Sequence, residues 1–183
     1  LMAKAFVTGG AGFIGSHLSE LLLDEGWEVF ALDDLSTGAE ANIAHLRERE
    51  GFGFHLVVDS VLSPSVVSEL VHRCDAVYHL AAAVGVRLSL EQPGRTLLTN
   101  VQGAENVLEY CARFEKAVLV ASSSEVYGNH PEDVSLEESA LRIYGPTTAK
   151  RWAYADTKAL DEFLALALKQ ERGLRCVIVR LFN

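Results

Sequence analysis

No run of apolar residues in this chain approaches the ~18–20 needed to cross a bilayer, because the greasiest stretches are cut by His79, Gly85 or charged residues. A protein embedded in or partnered with a membrane is therefore not expected. Basic residues are also few: 16 Lys and Arg stand against 25 Asp and Glu, a formal net charge of −9. No basic field exists to neutralise phosphates, so nucleic acid is not an expected partner and any nucleotide has to be held by local devices. Cysteine is scarce. Cys74, Cys111 and Cys176 are odd in number, widely spaced and set in apolar or helical surroundings, which fits buried thiols in a reducing compartment and neither disulfides nor a metal site. No charged-then-apolar signal segment opens the chain, and Leu1 ahead of Met2 reads as a fragment scar. A cytoplasmic location is expected. Internal repeats and low-complexity tracts are lacking too.

What remains is a folded composition, with 49% hydrophobic and 22% charged residues in 183. That excludes disorder and collagen-like repetition, and the length suits one domain over residues 1–183. Short β-branched or apolar runs alternate with longer stretches of helical period, the pattern of βαβ units around a parallel sheet. The spacing predicts strands at Ala3–Thr8, Glu28–Leu32, Phe54–Val58, Ala76–Leu80, Ala117–Ala121 and Arg175–Leu181. Helices are predicted near Gly12–Glu25, Ala41–Glu50, Pro64–His72, Pro93–Arg113 and Trp152–Arg172, the last closed by Gly173. The long irregular segment Tyr127–Arg151 is of the kind usually reserved for function. The expected fold is α/β, a Rossmann-like, doubly wound parallel sheet.

The run Thr8-Gly9-Gly10-Ala11-Gly12-Phe13-Ile14-Gly15 leaves the first strand and opens the first helix. Gly9, Gly12 and Gly15 permit a tight turn, close approach of backbone to a pyrophosphate, and close helix–strand packing, while the helix N-terminus offers free N–H donors. Asp33 ends the second strand 18 residues after Gly15, where a carboxylate can accept both ribose hydroxyls and repel a 2′-phosphate. NAD is thus expected over NADP. Asp34 competes for the ribose role, and Asp59 after the third strand either meets adenine or caps a turn. Tyr154 and Lys158 are four apart on a predicted helix and share a face. An ammonium beside a phenol stabilises the phenolate and brings its pKa down from ~10 toward the working range. Ser122-Ser123-Ser124-Glu125-Val126-Tyr127-Gly128 follows the fifth strand at the sheet's carboxyl edge, where doubly wound folds bind ligands.

Together with His79-Leu80-Ala81-Ala82, Asn100-Val101-Gln102-Gly103 and Arg180-Leu181-Phe182-Asn183, these runs resemble the extended short-chain dehydrogenase/reductase family. The resemblance is to its NAD-dependent nucleotide-sugar epimerase, dehydratase and decarboxylase branch. It implies that NAD takes a hydride from C4 of a hexose or uronic acid while Tyr154 removes the hydroxyl proton. Lys158 would tune Tyr154 and hold the nicotinamide ribose, with Ser123 completing the triad. Gly9, Gly12, Phe13, Ile14, Gly15, Asp33, Asp34, Asp59, Leu80, Ala81, Ala82 and Asn100 would line the cofactor, and Asn183 would reach the diphosphate of the substrate, a nucleotide sugar expected to be UDP-linked.

Ser124 and Glu125 stand where the branch is defined. The glutamate matches dehydratases and uronate decarboxylases, whereas UDP-galactose 4-epimerases of this family carry a small residue followed by Thr. Ser124 departs from the Asp of dTDP-glucose dehydratases and resembles the Ser-Glu pair of GDP-mannose dehydratases and UDP-glucuronate decarboxylases. The expected activity is UDP-glucuronate decarboxylase-like or sugar 4,6-dehydratase-like, with UDP-glucose/galactose 4-epimerase as the alternative. Two readings of other classes compete: a non-catalytic dinucleotide-binding regulator, and a reductase of small carbonyls. His79 is expected to be packed or to face the cofactor, and Arg180 is left open. The family's usual length makes a chain ending at Asn183 look like the cofactor half, with most of the sugar-nucleotide pocket elsewhere. Leu160, Phe163, Leu164, Leu166, Ala167 and Leu168 on one helix, and Leu97, Leu98, Val101, Leu108 and Tyr110 on the other, give apolar faces broader than one stripe. A homodimer through a four-helix bundle is the expected use, as in the family; contacts with a loop or a further lobe are the competing one.

Overall fold

The computed structural model describes residues 2–48, 53–83, 93–129 and 137–182. Six strands form one sheet: β1 (Lys4–Thr8), β2 (Glu28–Asp33), β3 (Phe54–Val58), β4 (Ala76–His79), β5 (Ala117–Ser123) and β6 (Cys176–Leu181). Every pairing is parallel and the order is β3-β2-β1-β4-β5-β6. That order reverses direction between β1 and β4, the place where a doubly wound sheet opens a crevice at the carboxyl ends of its strands. Helices α1 (Phe13–Asp24), α2 (Ala44–Arg47), α3 (Pro64–Arg73), α4 (Pro93–Arg113) and α5 (Trp152–Arg172) make the crossovers.

Burial on both faces explains why the strands read as near-continuous apolar runs. Successive side chains of β1 alternate between two cores. Ala5 and Val7 join Leu22, Ala31, Ile43 and Leu46 beneath α1 and α2, while Phe6 joins Val67, Leu70, Val107, Leu108, Val118 and Leu168 beneath α3, α4 and α5. Gly173 ends α5 at φ 72, and its N–H and that of Leu174 close the last turn onto Lys169 and Leu168.

One predicted helix is different. In place of Ala41–Glu50 there is a 3-10 turn, Glu40–Asn42, then the short α2. Ile43 between them adopts φ −120, ψ 3 and is wholly buried, and the Asn42 side chain donates to the carbonyl of Ala11 at 2.8 Å. Anchoring those two residues overrides helical continuity. The segment after β5 is not structureless either. Ser124–Tyr127 is a 3-10 turn, and Gly128 bridges to Ile143. Gly128 sits at φ 80, and a Cβ there would lie 2.2 Å from the carbonyl oxygen of Ile143.

Candidate active site

The phosphate loop is built by exclusion of side chains. A Cβ on Gly15 would fall 2.1 Å from the carbonyl oxygen of Gly9, so the first turn of α1 rides directly on the turn that leaves β1. Gly9 itself takes φ 71, and its N–H donates to Leu32 at 2.8 Å. A Cβ on Gly12 would meet only the Gly9 oxygen, at 3.2 Å. The start of α1 has no side-chain cap and no acidic residue in its first turn, which leaves its leading N–H groups available to an anion. Phe13 and Ile14 stand there with 78% and 48% of their surface exposed, an apolar flank beside those donors.

Asp33 does two jobs. Its Oδ2 accepts from Ala11 N–H and its Oδ1 from Leu35 N–H, each at 2.9 Å, so it braces the loop from the end of β2. A carboxylate has about four acceptor positions, of which these bonds use two. Asp34 is exposed and closes a turn through Ser36 N–H at 3.0 Å. Asp59 accepts from Ser60 N–H and the Ser63 hydroxyl, both at 2.6 Å, with its pKa held low first by the Ser63 bond. It therefore caps the turn into α3.

Thr8, His79 and the segment after β4 tie the loop to the neighbouring strand. The Thr8 hydroxyl accepts from the N–H groups of Leu80 and Ala81, both at 3.1 Å, which fills its lone pairs and leaves its proton for Nδ1 of His79 at 2.9 Å. The imidazole is accordingly neutral, with its proton on Nε2. Burial, aided by the charge of Lys158, pushes its pKa down to about 3. His79 is a packed residue. Ala81 backbone lies against Gly9, Ala82 continues the same segment, and Ala83 N–H donates to Oδ1 of Asn100 at 2.6 Å. Asn100 then reaches the Thr157 hydroxyl at 3.4 Å, so it braces backbone between β4 and α5.

A pH prediction follows with its sign. An unfolded His takes its proton near 6.5 while folded His79 does not until about 3, so this group removes stability as pH falls below 6.5, by up to about 1.4 kcal/mol per pH unit. Asp161, whose pKa burial raises to about 6, acts oppositely and adds stability as pH falls through that value. Urea unfolding between pH 7 and pH 5 should cost the wild-type chain more than His79→Asn. Parallel curves would contradict a buried neutral imidazole.

α5 packs against the Ser124–Tyr127 turn and β5, which brings the serine run to Tyr154 and Lys158. The Ser123 hydroxyl accepts from Glu125 N–H at 3.2 Å, keeping its own proton to donate. Ser124 is half-buried and Glu125 exposed. Tyr154 and Lys158 share the face expected, but their coupling differs from expectation. Burial pushes Tyr154 up to about 12, with the carboxylates of Glu125 and Asp161 adding to the rise. Lys158 does not reverse that rise, since its Nζ pairs with Oδ2 of Asp161 at 3.2 Å, both side chains almost wholly buried. The ammonium's field at the phenol is offset by its neighbour.

Sequence reasoning missed a second network. Glu162, one turn beyond Lys158, accepts from Ser122 Oγ at 2.5 Å and from the Arg180 guanidinium at 2.9 and 2.7 Å, and Arg180 lies 4.4 Å over the Tyr127 ring. Burial opposes ionisation of Glu162, but the Arg180 and Ser122 hydrogen bonds outweigh it and hold its pKa low. Arg180 is thereby a structural strap between β6, α5 and the serine turn. Tyr144 adds another tie, stacking on Trp152 and donating to the Val126 carbonyl at 2.8 Å. The signals were there: Glu162 lies eight residues after Tyr154, on the helix side that meets β5.

Cys74 and Cys111 are buried, with burial pushing both thiols up to about 12, and Cys176 is half-buried; all three are free. Among the described residues no group of three or more His, Cys, Asp or Glu is placed to hold a metal, and no helix is long and apolar enough to cross a membrane. Asn183 lies outside the described residues. The helix faces are mixed: Leu108 and Leu168 point into the core, while Leu98, Leu160, Phe163 and Leu166 remain 47–60% exposed.

A family model described as "NAD dependent epimerase/dehydratase family" matches residues 5–183. The chain belongs to that family. It is 37% identical over 180 residues to a UDP-N-acetyl-alpha-D-glucosaminuronate decarboxylase of Bacillus cytotoxicus, covering 98% of this chain and 54% of that protein. The UDP-glucose 4-epimerase of Thermus thermophilus, solved with NAD, superposes with TM-score 0.81 at 32% identity, over 97% of this chain and 54% of the other. DesIV, a dTDP-glucose 4,6-dehydratase of Streptomyces venezuelae solved with NAD and TYD, gives TM-score 0.85 at 30% identity, over 97% and 55%. The chain spans about half the length of these proteins.

Proposed function

We propose that this chain is the NAD-binding and proton-transferring half of an enzyme that modifies a nucleotide sugar by transient oxidation at C4. The observation that carries this reading is an uncapped, glycine-built helix start after β1, in the same parallel sheet as β5, whose following serine turn packs against the helix that carries Tyr154 and Lys158. NAD, when bound, supplies a hydride acceptor and donor. The α1 N–H groups would hold its pyrophosphate between Gly9, Gly12 and Gly15, flanked by Phe13 and Ile14, and Asp33 would take the adenosine ribose. Leu80, Ala81, Ala82 and Asn100 would form the wall beside the nicotinamide. Two carboxylates, Asp33 and Asp34, with no arginine at 35–38, disfavour a 2′-phosphate. In this reading Asp34 and Asp59 act at the rim, each already holding a turn.

Tyr154 takes the C4 hydroxyl proton and returns it, Ser123 donates to the same oxygen, and Lys158 supplies the positive charge that stabilises the phenolate. Glu125 faces the same space. In a uronate the 4-keto product is a β-keto acid, which loses carbon dioxide with little help, and Ser124-Glu125 together with the decarboxylase relative favours that outcome or a 4,6-dehydration over 4-epimerisation. A UDP-linked substrate and a diphosphate contact from Asn183 fit the same reading, as does cytoplasmic residence. Leu98, Leu160, Phe163 and Leu166 would be covered in a homodimer through α4 and α5 of both copies. Incubating the whole protein with UDP-glucuronate should release carbon dioxide without net accumulation of reduced nicotinamide; stoichiometric accumulation would instead identify a simple carbonyl reductase.

A further inference from the structure

We infer that Asp161 is a positioning residue for this chemistry, a buried counter-ion that keeps the Lys158 ammonium charged and aimed along the face of α5 that carries Tyr154. The inference rests on the reading of Tyr154 and Lys158 given above and adds a residue to it. Positions 154, 158 and 161 are spaced four and three apart, so they form one stripe on the helix. The Lys158 and Asp161 side chains are 3% and 2% exposed and lie 3.2 Å apart.

Other charged groups around them are committed elsewhere. Glu162, the next residue on α5, is taken up by Arg180 of β6 and Ser122 of β5. His79 from β4 is neutral and held by Thr8. From α4 the neighbouring contact is the uncharged Asn100 to Thr157 bond, and Glu125 of the 3-10 turn acts on Tyr154. A lysine ammonium buried without a counter-ion can fall to a pKa of about 5–6, where it would be uncharged at neutral pH and useless to a phenolate. Asp161 bears a cost for preventing this, since burial raises its carboxyl to about 6 despite the pull of Lys158. It also raises Tyr154.

The test is a titration of the Lys158 Nζ resonance by NMR in nitrogen-labelled protein, assigned by its loss in Lys158→Met. In Asp161→Asn the proton affinity of Lys158 should fall by about tenfold or more, one pK unit being a factor of ten, and Asp161→Glu should restore it. An unchanged Lys158 midpoint in Asp161→Asn overturns the inference. Should Asp161→Asn fail to fold, the wild-type protein still decides: the Nζ resonance should respond as Asp161 titrates near pH 6, and a resonance indifferent to that carboxyl is equally fatal. Neither cofactor nor substrate enters the measurement. Absent turnover with intact coupling would therefore count against the proposed function alone, and lost coupling with intact turnover against Asp161 alone.

Discussion

Tyr154→Phe should lower turnover of the whole protein by about 10²–10⁴-fold, the range a positioned general acid–base supplies, while NAD affinity changes by less than about threefold. The substitution removes one oxygen and keeps the ring, and the NAD contacts assigned to Gly9, Gly12, Gly15 and Asp33 are made by other parts of the chain. The effect is expected to be large because Tyr154 is the phenol beside the Ser123 turn, with Lys158 one helical turn beyond it. Turnover retained in Tyr154→Phe, with NAD still bound, would remove this phenol from the acid–base role, whereas a wild-type protein that binds NAD and turns over no nucleotide sugar would favour the dinucleotide-binding regulator. Lys158→Met in the same assay separates tuning of the phenol from proton transfer itself, since it should lower the rate and also weaken NAD.

Gly15→Ala should abolish measurable NAD binding and lower thermal stability together. The new Cβ would stand 2.1 Å from the Gly9 oxygen and 2.8 Å from Gly10 Cα, both backbone atoms with no flexible end to yield. Overpacking of this sort costs about 3 kcal/mol, or about 6–12 °C in Tm for a chain of this size. Relief requires α1 to move away from the β1 turn, which also withdraws the N–H groups meant for the pyrophosphate. Gly12→Ala is the control, because its Cβ would meet only one oxygen at 3.2 Å. It should spare stability and affect binding alone. A Gly15→Ala chain as stable as the wild type and still binding NAD would refute this picture of the loop.

The fold was largely legible because its signals are local and repeated. Apolar runs, β-branched residues and glycine punctuation located all six strands to within two residues at either end. The helix expected over Ala41–Glu50 failed for a non-local reason, the anchoring of Ile43 in the core and of Asn42 on the phosphate loop. Candidate site residues were legible where a motif carries them, as with Gly15, Asp33, Tyr154 and Lys158. Electrostatic partnerships were not, because they depend on which side of a helix faces which strand. Asp161 and Glu162 are adjacent in sequence yet serve different partners, Lys158 on the same helix and Arg180 on the neighbouring strand. The expected lowering of the Tyr154 pKa is reversed first by burial of the phenol and then by the carboxylates of Glu125 and Asp161, none of which the spacing of Tyr154 and Lys158 reveals.

The most direct measurement is the fate of a deuterium placed at C4 of the nucleotide-sugar substrate. Transient oxidation by a retained NAD, with Tyr154 moving only the hydroxyl proton, predicts that the label leaves C4 with a primary isotope effect and is returned to carbon in the product sugar. Deuterium appearing in solvent, or carried off in free reduced cofactor, would contradict it.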